Sequence, residues 1–197
     1  MKLTTITQIS VDGVMQGNGP SEYDRRAGFD RDGWAMDHFD ADATAYVDER
    51  CRGAGAFLFG RRTYDIFAPY WGALPAGSGP IADAFNTKPK YVASATLTEP
   101  AWAGTTVLGG DLTAAVRALK AAPGGELQVH GSGALVRRLL AEDLVDELSL
   151  LVFPVVVGRG TRLFPADGPR IALDRVESRP FPKGISLEVY RPLGITS

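Results

Sequence analysis

The chain has 197 residues, 45% of them apolar and 22% charged, with a formal net charge of -2, one cysteine (Cys51) and two histidines (His38 and His130). That length supplies one well-buried core and is short for two; the near-neutral charge lacks the clustered Lys and Arg of a nucleic-acid footprint, Arg61-Arg62 and Arg137-Arg138 being only pairs. A single cysteine excludes an internal disulfide, and with two separated histidines it excludes the ligand set of a zinc deaminase and predicts no metal site.

The N-terminus, Met1-Lys2-Leu3-Thr4-Thr5, lacks an apolar signal region, and no run reaches the ~20 apolar residues of a membrane span. The expectation is a soluble cytoplasmic protein with no membrane or nucleic-acid partner. Lys2 to Ser10 reads as a strand. Val11 to Trp34 has no sustained period and reads as a long functional loop of the lid kind. Asp37 to Arg52 reads as a helix capped by Asp40 or Asp42. Gly55 to Gly60 is a buried strand between glycines, and Arg61 to Phe67 opens a short helix. Pro69 to Gly79 is loop, and Ile81 to Phe85 is one helical turn or more.

Strands follow at Tyr91–Ala95 and Thr105–Leu108. Asp111 is a good cap for a helix from Leu112 to Ala122, where Leu112, Ala115, Val116 and Leu119 recur at helical spacing. Leu127 to His130 is a strand running into Gly131-Ser132-Gly133 and a further helix. Glu147 to Phe153 is a strand whose extension continues through Gly158. The tail holds two more strands, Ile171–Ser178 and Ile185–Tyr190, with no helix between them, which predicts an antiparallel pair. The repeated strand–helix order before them predicts an α/β fold, a mostly parallel doubly wound sheet with an antiparallel C-terminal edge hairpin. No linker-like shift in composition appears, so the expectation is one domain over 1–197 with its core at about 2–192.

Two places repeat one pattern of apolar strand, glycine and helix start. They are Phe57-Leu58-Phe59-Gly60-Arg61-Arg62-Thr63-Tyr64 and Leu127-Gln128-Val129-His130-Gly131-Ser132-Gly133-Ala134-Leu135. A helix N-terminus offers unpaired N–H groups and the positive end of the dipole, which suits phosphate. Arg61, Arg62 and Thr63 add donors, and two such ends on adjacent parallel strands would grip a dinucleotide. Each junction also has a plainer reading, a tight connection with solvated arginines.

Four segments together resemble the dihydrofolate reductase superfamily. Within it, the chain looks closest to the reductase domain of the bifunctional riboflavin-biosynthesis deaminase-reductase and its stand-alone relatives. The segments are Ile9-Ser10-Val11-Asp12-Gly13, Phe59 to Tyr64, Val129 to Leu135, and Leu144-Val145-Asp146-Glu147-Leu148 continuing through Pro154-Val155-Val156-Val157-Gly158-Arg159-Gly160 to Leu163-Phe164. The resemblance implies the dihydrofolate reductase-like fold and NADPH as cofactor, and the apolar strand Leu148 to Val157 followed by the antiparallel tail predicts a homodimer, as in those relatives. By position it implies that Gly60, Arg61, Arg62 and Thr63 hold the cofactor phosphates. Arg61 would meet the 2′-phosphate with Ser94 nearby, and Gly131, Ser132, Gly133, Ala134 and Leu135 would lie along the pyrophosphate and nicotinamide.

Departures bear on the substrate. The family carboxylate on the first long helix falls at Thr44 by gap-free counting, with Asp40, Asp42 and Asp48 near; Asp40 and Asp42 are the candidate catalytic acids, and equally a helix cap and a solvated face. Lys88 is the best substitute for the folate-binding arginine. His130 stands where the family position is apolar and faces substrate, which makes it a candidate for proton transfer or substrate binding, or else a core histidine. Gln8, Ser10 and Trp34 are the candidate substrate contacts, Trp34 closing over the ligand. The resulting reading is a cytoplasmic, homodimeric NADPH-dependent reductase that moves hydride to a C=N, C=C or C=O bond of a small heterocycle, pterin- or pyrimidine-like. The alternative is a non-catalytic dinucleotide-binding or dimeric scaffold of the same fold.

Overall fold

Eight strands form one sheet in the order β4-β3-β2-β5-β1-β6-β8-β7. In this computed structural model residues 1–19 and 28–195 are described. In chain order the elements are β1 (Leu3–Ser10), a 3₁₀ turn (Met36–His38), α1 (Ala41–Gly53), β2 (Ala54–Gly60), α2 (Arg61–Trp71), α3 (Pro80–Thr87), β3 (Lys90–Ala93) and β4 (Thr105–Leu108). There follow α4 (Leu112–Ala121), β5 (Glu126–Val129), α5 (Gly133–Ala141), β6 (Glu147–Phe153), β7 (Ile171–Pro180) and β8 (Ser186–Ile195). Strands β1 to β6 pair in parallel, while β8 runs antiparallel to β6 and to β7. The predicted parallel sheet with an antiparallel edge hairpin is what forms.

The side-chain alternation of β2 explains the layers. Phe57 and Phe59 point into a core shared with Ala43, Val47 and Cys51 of α1 and Phe85 of α3. Ala56 and Leu58 point the other way, into a core built with Leu112 and Val116 of α4 and Leu135, Val136, Leu139 and Leu140 of α5. A strand apolar on both faces is what a sheet covered by helices on both sides requires.

Some boundaries differ from the sequence expectation, for local reasons. The helix read from Asp37 is interrupted at Phe39, whose extended backbone separates the 3₁₀ turn from α1. Asp40 then caps α1, accepting from the Ala43 N–H at 2.9 Å. Helix α2 continues past Phe67 to Trp71 with Pro69 inside it. Proline removes one backbone donor in the last turn but keeps a helical φ, so the helix survives there. Beyond Phe153 the chain leaves the sheet, because residues 155–163 are bonded to the segment after β1 rather than to a neighbouring strand: Val11 N–H donates to Val155 O at 3.0 Å, Met15 N–H to Thr161 O at 2.9 Å and Leu163 N–H to Gly13 O at 3.0 Å.

Candidate active site

The two glycine-marked junctions meet in space. Strands β2 and β5 are neighbours, so Gly60 and Gly131 lie at adjacent carboxyl ends of the sheet. Gly60 N–H donates to Gly131 O at 3.1 Å. A Cβ at Gly60 would stand 2.3 Å from Ser132 Oγ and 3.0 Å from Ser132 N, so the approach itself requires glycine. Gly131 has φ +110°, a conformation L side chains rarely adopt, and the Gly131-Ser132 peptide is cis.

Beside this junction a cleft of about 1220 Å³ opens. Its walls include Gly60, Arg61, Arg62 and Thr63 from the start of α2, Ser132, Gly133, Ala134 and Leu135 from the start of α5, and Ser94 after β3. Neither α2 nor α5 has a side-chain N-cap, whereas Asp40 and Asp111 cap α1 and α4. The N-termini facing the cleft therefore keep backbone donors available to an anion. Arg61 Nε donates to Asp65 at 2.8 and 3.0 Å across one helical turn, and Arg62 is exposed with no ion pair among the described residues. Ser94 Oγ accepts from Thr96 N–H and Leu97 N–H at 3.2 and 3.0 Å, so it shapes the turn next to the cleft.

The residues that line the cleft after β1 are braced by two of the segments singled out in the sequence. Asp12 Oδ1 accepts from Ser10 Oγ at 2.7 Å and from Val157 N–H at 3.0 Å, and Oδ2 accepts from Gly158 N–H at 2.9 Å. These bonds, led by the Ser10 hydroxyl, hold the Asp12 carboxyl down to about 2. Gln16 Oε1 accepts from Thr161 N–H and Oγ1 at 3.0 and 3.1 Å. Through these ties Met15, Gln16, Gly17, Asn18, Gly19 and Thr161 line the cleft. The Asp12-Gly13 motif and the Val155–Gly160 stretch are thus two halves of one clamp.

The predicted substrate-side residues divide. Gln8 and His130 line the cleft, Gln8 Oε1 accepting from Asn18 Nδ2 at 3.1 Å. Thr44, at the counted carboxylate position, also lines it. Ser10 is fully buried with its hydroxyl committed to Asp12 and Val14 N–H. Trp34 donates from Nε1 to Gln16 O at 2.8 Å and packs edge-on to Phe153 at 5.5 Å, behind the cleft rather than in its lining. Of the predicted lid, residues 20–27 lie outside the described residues. Asp40 is turned away: its oxygens accept from Ala43 N–H and Lys183 N–H, which lower its carboxyl below the usual range. Asp42 is exposed on the first turn of α1 and is not in the lining. Lys88 donates to carbonyls of Cys51, Arg52 and Ala54 and so closes the end of α1.

His130 is half-buried between Phe57 and Phe85, with ring centroids 5.6 and 5.3 Å away, and its Nε2 lies 3.2 Å from Gln128 Oε1. Burial, with a smaller push from Arg50, lowers its pKa to about 4. Near neutral pH the ring is in its neutral form. Sequence reading passed over two residues here. Arg138, read as half of a solvated pair, lines the cleft one turn after Ala134; the i to i+4 spacing from the helix start was the available signal. Gln128, apolar in context and central in β5, gave none.

The RibD C-terminal domain family matches residues 1–187. The chain belongs to the RibD C-terminal domain family. It is also 30% identical over 138 residues to the uncharacterized protein YyaP of Bacillus subtilis, covering 68% of this chain and 71% of that protein. Among solved structures it is similar to a proposed riboflavin biosynthesis protein from Shewanella sp. PV-4, with a TM-score of 0.69, 22% identity and coverage of 98% and 99% of the two chains. A pyrimidine reductase-like protein from Corynebacterium diphtheriae gives a TM-score of 0.63 at 15% identity, covering 98% and 92%. Dihydrofolate reductase from Enterococcus faecalis, complexed with NADP(H) and RAB-propyl, gives 0.64 at 14%, covering 98% and 96%. The fold is therefore dihydrofolate reductase-like. Among the described residues no helix is long and apolar enough to cross a membrane, and no group of three or more His, Cys, Asp or Glu side chains is placed to hold a metal ion.

Proposed function

We propose that the chain is a cytoplasmic NADPH-dependent reductase acting on a small heterocyclic substrate. One observation carries the reading: two uncapped helix N-termini and the Arg61–Thr63 donors converge on one large cleft at the carboxyl ends of β2 and β5. That donor set fits a phosphate-rich dinucleotide, and the solved relative holding NADP(H) shares the fold. The cofactor, when bound, supplies the hydride. The chain's own residues bind and orient: Arg61, Arg62 and Thr63 hold phosphate oxygens, Gly60 and Gly131 let the two strand ends meet closely so that both helix starts face the cofactor, and residues 15–19 with His130 and Thr44 bound the substrate end. His130 acts there as a neutral hydrogen-bonding group, and Asp40 and Asp42 have no part in the chemistry. The test is a titration with NADPH and NADH, followed by an oxidation screen against pterins, pyrimidines and quinones. NADPH binding with no turnover on any class would favour the non-catalytic scaffold; binding of neither cofactor would overturn the reading.

Arg61 also carries a quantitative expectation. Arg61→Ala removes a guanidinium and leaves the Asp65 carboxylate, itself on the cleft wall, unpaired beside the phosphates. NADPH affinity should fall by roughly 1–3 kcal/mol and NADH affinity by less. Equal losses for the two cofactors, measured by fluorescence titration, would remove the 2′-phosphate role.

We propose that two copies of the chain associate through the C-terminal hairpin. Strand β7 is one of the two edges of the sheet, and Leu193 and Ile195 of β8 are 63% and 56% exposed, as are Leu173 and Val176 of β7 at 37% and 43%. An exposed apolar edge of this kind calls for a partner, and a second copy supplies one by two-fold symmetry. Light scattering at micromolar concentration should give twice the chain mass, and Leu193→Asp should halve it. A wild-type monomer would sink the idea.

A further inference from the structure

The hydrogen bonds behind His130 run in one direction only. Gln128 is fully buried in β5. Its side-chain amide nitrogen faces two acceptors, Arg50 O at 2.7 Å and Glu126 Oε2 at 3.2 Å. Neither a backbone carbonyl nor a carboxylate can donate, so Nε2 of Gln128 is fixed as the donor and Oε1 as the atom that faces His130. Oε1 can only accept. The His130 Nε2 that meets it at 3.2 Å must therefore carry hydrogen. In a neutral imidazole one nitrogen is a donor and the other an acceptor. Nδ1 is then the acceptor, and it has no hydrogen-bond partner among the described residues, on a ring that lines the cleft.

We infer that Gln128 is a positioning residue that holds His130 as the Nε2–H tautomer, so that Nδ1 accepts a hydrogen bond from a ring N–H of the substrate. The inference rests on the reading of this cleft as the substrate site. It deepens that reading by naming what the heterocycle must offer: a donor at the position facing His130, as a lactam or other cyclic amide has and a fully N-substituted ring lacks. The chain runs from Arg50 at the end of α1, through the Gln128 amide, to the imidazole. A substitution at Gln128 therefore alters the site without touching a ligand. The low pKa of His130 agrees with this arrangement, because the neutral ring is the form that keeps one acceptor nitrogen.

The experiment is a long-range ¹H–¹⁵N spectrum of the full-length protein without cofactor at pH 7. The protein has two histidines, so His38→Gln assigns the His130 signals. The expected result is a single neutral Nε2–H pattern for His130. In Gln128→Met, which keeps the volume and loses the fixed acceptor, the His130 signals should move toward the average of the two tautomers while His38 is unchanged. An Nδ1–H pattern or an imidazolium in the wild type would overturn the inference, and so would an unaltered His130 pattern in a folded Gln128→Met. Should that variant fail to fold, the wild-type pattern still decides. A second arm compares each heterocycle that the oxidation screen identifies with its N-methylated counterpart. Methylation at the donor nitrogen should raise KM by about tenfold in the wild type, the effect of one lost hydrogen bond, and by under about threefold in Gln128→Met. A similar KM for both compounds in the wild type would overturn the substrate assignment. Because the spectrum requires no turnover, a wrong tautomer and an absent reductase activity are separate outcomes.

Discussion

Asp12→Ala is expected to lower the unfolding free energy by about 2–4 kcal/mol near neutral pH, measured by urea denaturation. The carboxylate accepts from Ser10 Oγ, Val157 N–H and Gly158 N–H, and Arg162 stands 3.6 Å away. Alanine leaves those donors without their acceptor and loosens the turn at Val157 and Gly158, while the backbone bonds between Val155, Thr161 and Leu163 and the segment after β1 remain. The pH dependence has a definite sign. The folded carboxyl titrates at about 2, below its usual 3.8, so its contribution is complete above about pH 4 and is lost as pH falls from there toward 2. The difference between wild type and Asp12→Ala should therefore shrink by about 1–2 kcal/mol over that window, allowing for solvent screening of a side chain that is partly accessible. A difference that stays constant from pH 6 to pH 2.5 would show that the charge contributes nothing. Cofactor affinity should fall as well, since residues 15–19 line the cleft and are held in place by the same clamp.

Gly60→Ala should cost about 2–3 kcal/mol of stability and weaken NADPH binding by at least about tenfold. The backbone at Gly60 is ordinary, with φ −72° and ψ 153°, so the cost is steric rather than conformational. The added Cβ would stand 2.3 Å from Ser132 Oγ, 3.0 Å from Ser132 N and 3.1 Å from Ser132 Cβ. Relief requires the two strand ends to part, and that moves the starts of α2 and α5 relative to each other. These are the two groups of donors read as the phosphate cradle, so affinity and stability should change together. Ser132→Gly in the same chain removes two of the three contacts and should restore more than half of the stability. An unchanged melting temperature in the single variant, or no rescue in the double one, would show that the approach is looser than the distances indicate.

Much of the fold was legible because its causes are local. The alternation of Phe57 and Phe59 against Ala56 and Leu58 needed only a period of two, and the Asp111 cap only a side chain with an oxygen three residues before an N–H in search of an acceptor. Both glycine-marked junctions were visible for the same reason, as was the antiparallel tail, whose strands have no helix between them to reverse their direction. Helix α2 ran past its predicted end because the propensity of Pro69 weighs less than the packing of Phe67 and Trp71 against Phe85.

What sequence left open were questions of who faces whom. Asp40 and Asp42 lie on the helix expected to border the substrate, yet the 3₁₀ turn before α1 sets the start of that helix at Asp40, and the cap and Lys183 N–H then take both of its oxygens. Thr44, one turn on, reaches the cleft instead. Ser10 looked like a substrate contact from its place at a strand end, but its hydroxyl is committed to Asp12, whose carboxylate also accepts from Val157 and Gly158 N–H, residues that fold back beside β1. The state of His130 depends on Gln128, whose orientation depends in turn on the carbonyl of Arg50, 78 positions away along the chain. Sequence by itself determined the strands, the helices, the two glycine junctions and the family they belong to, since short-range sterics and periodicity carry that information. Only the tertiary structure decided which polar groups are already committed to one another and which are left to face a ligand, because hydrogen bonding is settled by distances between residues that the chain keeps far apart.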